Sequence, residues 1–135
     1  MPEKNRNYAW LAFNDPAFHR CCPEWEEVAN TCVANLRLEA AQHPDDPRLT
    51  QLVGELSVRH DDFRRLWGTH HAPARRRGTK RMFHPAVGEL VLCWDSYASA
   101  AEPDQQLVIL TAEPGSASHA ALRELSRWVA QQKAD

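Results

Sequence analysis

Apolar side chains in the first half of the chain recur every three or four positions, which predicts amphipathic helices. The first stripe consists of Tyr8, Leu11 and Ala12, with Trp10 and Phe13 beside them. Asp15-Pro16 ends this helix or bends it. A longer helix opens at Pro23 and stops at His43-Pro44, because proline fits the first turn of a helix but cannot continue one. Its stripe is Trp25, Val28, Ala29, Cys32, Leu36 and Ala40.

Two further helices are predicted in the middle of the chain. Asp46 is a suitable N-cap for the third helix, with Pro47 at its first position. Its apolar positions are Leu49, Leu52, Val53 and Leu56. The fourth helix begins at about Asp61, and one of its faces carries Phe63, Leu66, Trp67 and His70.

After Ala72 the pattern changes to that of β-strands, predicted over Lys80–His84, Glu89–Tyr97 and Gln106–Ala112. Pro85 and Gly88 place a turn between the first two strands, since proline lacks a ladder donor and glycine permits positive φ. The third strand has a continuous apolar core from Leu107 to Leu110, which predicts that it is covered on both faces.

A last helix is predicted after the sheet, capped by Ser116 or Ser118. Its apolar face is Leu122, Leu125, Trp128 and Val129. The order of N-terminal helices, antiparallel β-sheet and C-terminal helix predicts the α+β class.

Composition narrows the class of protein further. The 135 residues are enough for a single domain over residues 1–135, and several of the five tryptophans are expected to line one core or pocket. The net charge of −2 argues against a chain that binds nucleic acid by itself. Arg75–Arg77 is read as a solvated loop rather than as a phosphate contact.

The sequence also bears on location. It has no apolar run near the roughly 20 residues that span a bilayer. The polar stretch Met1–Asn7 lacks the apolar segment of a signal peptide. We therefore expect a cytoplasmic protein that makes no membrane contact and has reduced cysteines.

Catalytic and metal-binding patterns are missing from the sequence. It contains no GxSxG, no HExxH and no phosphate-cradling glycine loop, so we expect no enzyme. His19, Cys21, Cys22 and Cys32 offer soft ligands but no CxxC pair, and Cys32 fits an apolar helix stripe. No metal and no cofactor are predicted.

Three stretches resemble the ligand-binding domain of the MmyB-like bacterial transcription regulators. The first is Arg6-Asn7 with the following helix, Asp15-Pro16 and Pro23–Ala29. The second comprises His43–Leu49, Leu52–Ser57 and Asp62–Trp67. The third is Gly78–Leu90, closed by Thr111–Ser116.

The resemblance implies a PAS-like sensor domain that binds a small apolar ligand of the fatty-acid type. In that family such a domain follows an Xre-type helix-turn-helix, which this chain does not contain. The DNA-binding function therefore belongs to a fused or partner domain. We expect no specific DNA binding by this chain, and a homodimer is possible.

The resemblance also suggests a pocket between the sheet face and the N-terminal helices. Its predicted ligand residues are Asn7, Phe63, Arg64, Trp67, Phe83, His84 and Trp94. Arg64 would hold a ligand carboxylate with two bonds, or instead be a surface arginine paired with a nearby acid. Asn7 is an N-cap or a pocket residue, and His84 donates to the ligand or only satisfies the turn before Pro85. The aromatic members suit a pocket or the core.

Three functions compete at this stage. The leading one is a ligand sensor that acts by shifting a conformational or dimer equilibrium. The alternative is a PAS-like dimerisation or interaction module without a ligand, and an enzyme on a small apolar acid ranks third. An enclosed apolar pocket favours the first, and an exposed apolar patch of several hundred Å² favours the second.

Overall fold

The computed structural model describes residues 7–69 and 73–133. Within these residues it contains six helices and a three-stranded antiparallel sheet, so the predicted α+β class with a C-terminal helix is confirmed. The helices are α1 (Tyr8–Asn14), α2 (Pro16–Cys21), α3 (Trp25–Gln42), α4 (Pro47–Arg59), α5 (Asp61–Gly68) and α6 (Ala117–Gln132). The strands are β1 (Arg77–His84), β2 (Gly88–Ala98) and β3 (Gln106–Thr111).

The chain divides into two compact units. Unit 1 comprises Met1–His19 and Glu24–Arg75, and unit 2 comprises Arg20–Pro23 and Arg76–Asp135. The division does not test whether the two units fold as one domain, so the single domain over residues 1–135 stays a prediction. None of the described helices is long and apolar enough to cross a membrane.

Unit 1 is held together by the helix stripes that the sequence predicts. The side chain of Asp46 caps α4 by accepting from the backbone N–H of Arg48 at 2.8 Å, which confirms the predicted N-cap. The core joins α1, α3, α4 and α5, and Ala12, Leu56 and Phe63 are fully buried in it. Two details differ from the prediction: a short α2 follows Asp15, and α3 begins at Trp25. His70 lies outside the described residues.

Unit 2 is built on the sheet, with strand order β1-β2-β3. Gly88 adopts a φ of 79°, which confirms the predicted turn, and β1 extends three residues further toward the N-terminus than predicted. Leu90 and Leu92 are buried on one face of β2, while Val91 and Cys93 on the other face are exposed. Ser116 caps α6 by accepting from the N–H of His119.

The strand β3 was predicted correctly, but its predicted burial on both faces was wrong. All six residues of this strand are exposed, although its apolar run is typical of a strand covered on both faces. The apolar pattern identified the strand but not its exposure. Hydrophobicity shows that a side chain favours burial, but it does not show whether other residues pack against it.

The helix α6 packs against β2, although most of its residues are exposed. His84 shares the face of Leu90 through its pairing with Gly88, and its ring contacts Trp128 at 5.9 Å between centroids. The C-terminal half of α6 therefore packs on the face of the sheet that carries Leu90. At its start, the Ser118 hydroxyl accepts from the N–H of Val91 at 2.8 Å.

Candidate functional site

The predicted ligand residues belong to both units. Asn7, Phe63, Arg64 and Trp67 lie in unit 1, whereas Phe83, His84 and Trp94 lie in unit 2. Within unit 1, the rings of Phe63 and Trp67 are stacked, with centroids 5.6 Å apart. Phe63 is fully buried, so its contacts are those of a core residue.

Phe13 is at the centre of an aromatic cluster in unit 1. Its ring meets Phe63 edge-on at 5.2 Å and Trp25 at 6.5 Å, and it lies 5.9 Å from the imidazole of His60. The ring of His19 stacks on Trp25 at 4.9 Å. Edge-to-face pairs of this kind contribute beyond the area they bury, so the cluster fixes α1 against α3 and α5.

Arg64 makes the surface pairing that the sequence allows as an alternative to ligand binding. Its guanidinium bonds to the carboxylate of Asp61 and to the carbonyl of Ser57, the latter at 2.6 Å, and its side chain is half exposed. A ligand carboxylate at this guanidinium would have to replace Asp61. The ligand role of Arg64 stays a prediction.

Asn7 caps α1. Its side-chain oxygen accepts from the N–H of Trp10 at 2.9 Å, which is the N-cap geometry of the first helical turn. The side chain of Asn14 donates to the carbonyl of Trp10 at 2.9 Å. Both backbone polar groups of Trp10 are therefore satisfied by asparagine side chains of α1 or its cap.

The indole N–H of Trp10, unlike the backbone groups of this residue, has no hydrogen-bond partner among the described residues. Its Nε1 atom is buried. A buried donor without an acceptor costs about 1–3 kcal/mol, so such groups are uncommon in folded proteins. Sequence analysis placed Trp10 beside an apolar stripe and missed this donor. The available signal was the residue type, since a buried tryptophan needs an acceptor for its N–H.

Arg37 is a second residue that sequence analysis missed. Its guanidinium donates to the carbonyls of Trp67 and Thr69, the latter at 3.1 Å, and lies 5.5 Å from the centre of the Trp67 ring. It therefore provides donors for carbonyl groups at the C-terminal end of α5, and it also makes a cation–π contact with Trp67. The partners are about thirty positions away, and no local pattern reveals them.

Burial shifts the pKa values of His60 and Cys22 in opposite directions. Burial lowers the pKa of His60, and the positive charge of Arg59 acts in the same direction. His60 Nε2 donates to the side-chain oxygen of Asn14 at 2.9 Å, which couples the α4–α5 junction to α1. In unit 2, burial raises the pKa of the Cys22 thiol, and Lys80 opposes this effect. Cys22 is therefore a neutral, small apolar residue rather than a reactive thiolate.

The predicted site residues of unit 2 lie on β1 and β2. Phe83 is half exposed and pairs with Glu89 across the strands. His84 Nδ1 accepts from the N–H of Ala86 at 3.1 Å, as expected if it satisfies the turn. Trp94 packs over Gly78, where an added Cβ would come within 2.8 Å of the indole Nε1.

A groove of about 400 Å³ lies along the outer face of α4. It is lined by Gln51, Gly54, Glu55, Val58 and Arg59, none of which is a predicted ligand residue. All five come from one helix, and Val58 is largely exposed. This groove is not the aromatic-lined pocket that the sequence predicts.

These features define a mixed α+β chain with a helical, aromatic-rich unit and a sheet unit. The family model for the MmyB-like transcription regulator ligand binding domain matches residues 1–125. The chain therefore belongs to this family, as its motifs predicted. No curated protein and no solved structure gives a significant match to it.

Family membership supports a regulatory, ligand-sensing role. It also favours a function other than catalysis, because the family is one of regulator ligand-binding domains. A DNA-binding partner domain is implied for the full regulators.

Proposed function

We propose that this chain is the cytoplasmic sensor domain of a bacterial transcription regulator and that it binds a small apolar acid of the fatty-acid type. Family membership supports the sensing role. The observation that favours a ligand with an oxygen acceptor is the buried, unsatisfied indole N–H of Trp10. An acid suits this donor better than an ester, because a charged acceptor makes the stronger hydrogen bond. A carboxylate or carbonyl oxygen on a ligand would supply the acceptor that the described part of the chain does not.

The rest of such a ligand needs an apolar environment, and unit 1 contains one. The aromatic cluster around Phe13 gives this unit the apolar character that an acyl chain favours. Arg64 is a second candidate anchor, provided that its guanidinium exchanges Asp61 for the ligand. One polar anchor at the end of an apolar slot is a common design for sites that bind amphipathic ligands.

In this proposal the chain senses and another domain contacts DNA. A ligand changes regulation only if it binds one conformational or oligomeric state more tightly than the other. The net charge of −2 is unfavourable for DNA binding, and Arg77 of the basic segment is paired with Asp95 at 3.1 Å. The proposal includes neither catalysis nor a cofactor.

The first test is native mass spectrometry of the purified chain, where we expect a bound small molecule that denaturation releases. Calorimetry then compares a long-chain fatty acid with its methyl ester, for the wild type and for Trp10→Phe. The substitution keeps an aromatic ring but removes the N–H, so affinity for the acid should fall by about 1.5–3 kcal/mol and the preference for acid over ester should shrink.

Trp128→Phe is the matched control, because it makes the same chemical change on α6, where Trp128 is 40% exposed. Equal affinities for wild type and Trp10→Phe would remove Trp10 from the site, and Arg64→Ala would then be compared in the same way. A chain that binds neither acid nor ester would support the alternative, a dimerisation or interaction module without a ligand. The exposed apolar residues of β3 favour that alternative.

A further inference from the structure

The strand β3 carries an apolar surface that the described residues of its own unit leave uncovered. Its four central side chains, Leu107 to Leu110, are 62%, 54%, 42% and 44% exposed. They point alternately to the two faces of the sheet, so both faces of the strand are apolar and open. A strand with this composition normally lies inside a sheet.

The same strand is at the end of the sheet. The order β1-β2-β3 leaves the outer edge of β3 without a neighbouring strand among the described residues. Gln106–Thr111 contains no charged residue and no proline, which are the usual devices that prevent an edge from pairing. The edge therefore offers backbone donors and acceptors together with apolar side chains.

We propose that β3 pairs edge to edge with β3 of a second copy of this chain. The two three-stranded sheets then form one antiparallel sheet across a two-fold axis perpendicular to it. This inference goes beyond the sensing function and does not depend on the identity of a ligand.

The strand is self-complementary in this arrangement. Opposing residues in an antiparallel pair share a face, so Val108 or Ile109 lies opposite its own copy at the axis. Leu107 and Ile109 then meet their copies on one face, and Val108 and Leu110 meet theirs on the other. Tyr97, which pairs with Leu107 and is half exposed, continues the apolar surface on the inner side of β3, one strand away from the seam.

The exposed area fits a dimer of moderate affinity. Full burial of an aliphatic side chain corresponds to about 60–120 Å². Half of the aliphatic value for the four β3 side chains gives roughly 200 Å² of apolar area per copy. A standard interface buries about 800 Å² per partner, of which somewhat more than half is apolar. We therefore expect a concentration-dependent dimer rather than an obligate one.

The acidic residues beside β3 predict how the dimer responds to salt. Glu102 precedes the strand and Glu113 follows it, so antiparallel pairing brings the acidic end of one copy beside the acidic end of the other. Salt screens this repulsion while apolar contacts persist. The dimer should become tighter as salt concentration rises, whereas a complex held by opposite charges would weaken.

Sedimentation equilibrium of the chain over a range of concentrations tests the proposal. We expect a reversible monomer–dimer equilibrium with a dissociation constant on the order of 10 μM. Ile109→Lys should raise that constant at least tenfold, because it places a charge in the seam. Ile109→Thr is the milder second variant, which keeps a β-branched side chain and weakens the dimer in the same direction. Val58→Lys is the matched control, since Val58 is 82% exposed on α4 and outside β3.

Hydrogen exchange separates the possible occupants of the edge. Pairing between copies predicts that residues 106–111 become protected as concentration rises, in the wild type and not in Ile109→Lys. Protection that is independent of concentration in a monomeric chain would show that another part of the same chain covers the strand. That result, a monomer at about 100 μM, or a Val58→Lys effect as large as that of Ile109→Lys would each overturn the proposal.

Discussion

Units 1 and 2 differ in how far they bury their apolar side chains. In unit 1 the stripes of four helices meet, and leucine, phenylalanine and alanine side chains disappear completely into one core. In unit 2 the buried apolar side chains among the described residues are Cys22, Leu90 and Leu92, while apolar residues on all three strands stay half exposed. Helices at several angles can enclose a stripe, but three strands with one helix leave a face and an edge open. The apolar pattern of unit 1 therefore reflects packing within the unit, whereas the exposed apolar residues of unit 2 are the basis of the proposed pairing between copies.

The largest expected effect uses the same substitution in both units. Leu56→Ala removes a fully buried side chain from unit 1 and should lower the free energy of unfolding by about 2–5 kcal/mol. Leu107→Ala removes a side chain that is 62% exposed in unit 2 and should change it by no more than about 0.5 kcal/mol in the monomer. Urea denaturation at low protein concentration measures both. Similar costs for the two variants would contradict the contrast between the units.

Sequence reasoning succeeded where a pattern is local. The N-cap at Asp46, the turn at Gly88 and the cap at Ser116 depend on residues within a few positions, and all three are confirmed. The stripe of α3 was also readable, since Cys32 and Leu36 are buried as their helical spacing predicts. The motifs identified the family because they extend along nearly the whole chain.

Sequence reasoning failed where a property depends on distant partners. The exposure of β3 depends on whether another segment covers it, and the strand itself carries no information about that. The contact between Arg37 and the end of α5, and the unsatisfied indole of Trp10, appear only when the helices are assembled. Arg64 shows the same limit, because the sequence offered two partners for it and the structure provides the acid on its own helix.

Two glycines allow an intermediate test of how tightly each unit is packed around the backbone. A Cβ at Gly78 would meet the Trp94 indole of unit 2 at 2.8 Å, so Gly78→Ala should destabilise the protein by about 1–3 kcal/mol. A Cβ at Gly54 in α4 of unit 1 meets nothing within 4 Å, so Gly54→Ala should stabilise it by about 0.5–1 kcal/mol. Thermal unfolding followed by circular dichroism gives both signs. Stabilisation by Gly78→Ala would show that Trp94 moves away without cost.

The smallest expected effect concerns pH and unit 1 alone. Burial, assisted by the positive charge of Arg59 and by His19, holds the pKa of His60 below its usual value, and Asp62 opposes the shift. Above about pH 6.5 the imidazole is neutral in both the folded and unfolded states, so it adds no pH dependence. As pH falls through that value, the unfolded chain takes up the proton first, and the free energy of unfolding decreases until the folded-state pKa is reached.

His60→Gln isolates this contribution, because glutamine can donate to Asn14 as the imidazole does but does not titrate. The difference in stability between wild type and variant should be constant above neutral pH. It should then change in favour of the variant as pH falls from about 6.5 to 5, measured by urea denaturation at each pH. The effect is small since His60 is only partly buried. A difference that stays constant over the whole range would show that the folded chain accepts the proton on His60 as readily as the unfolded chain does.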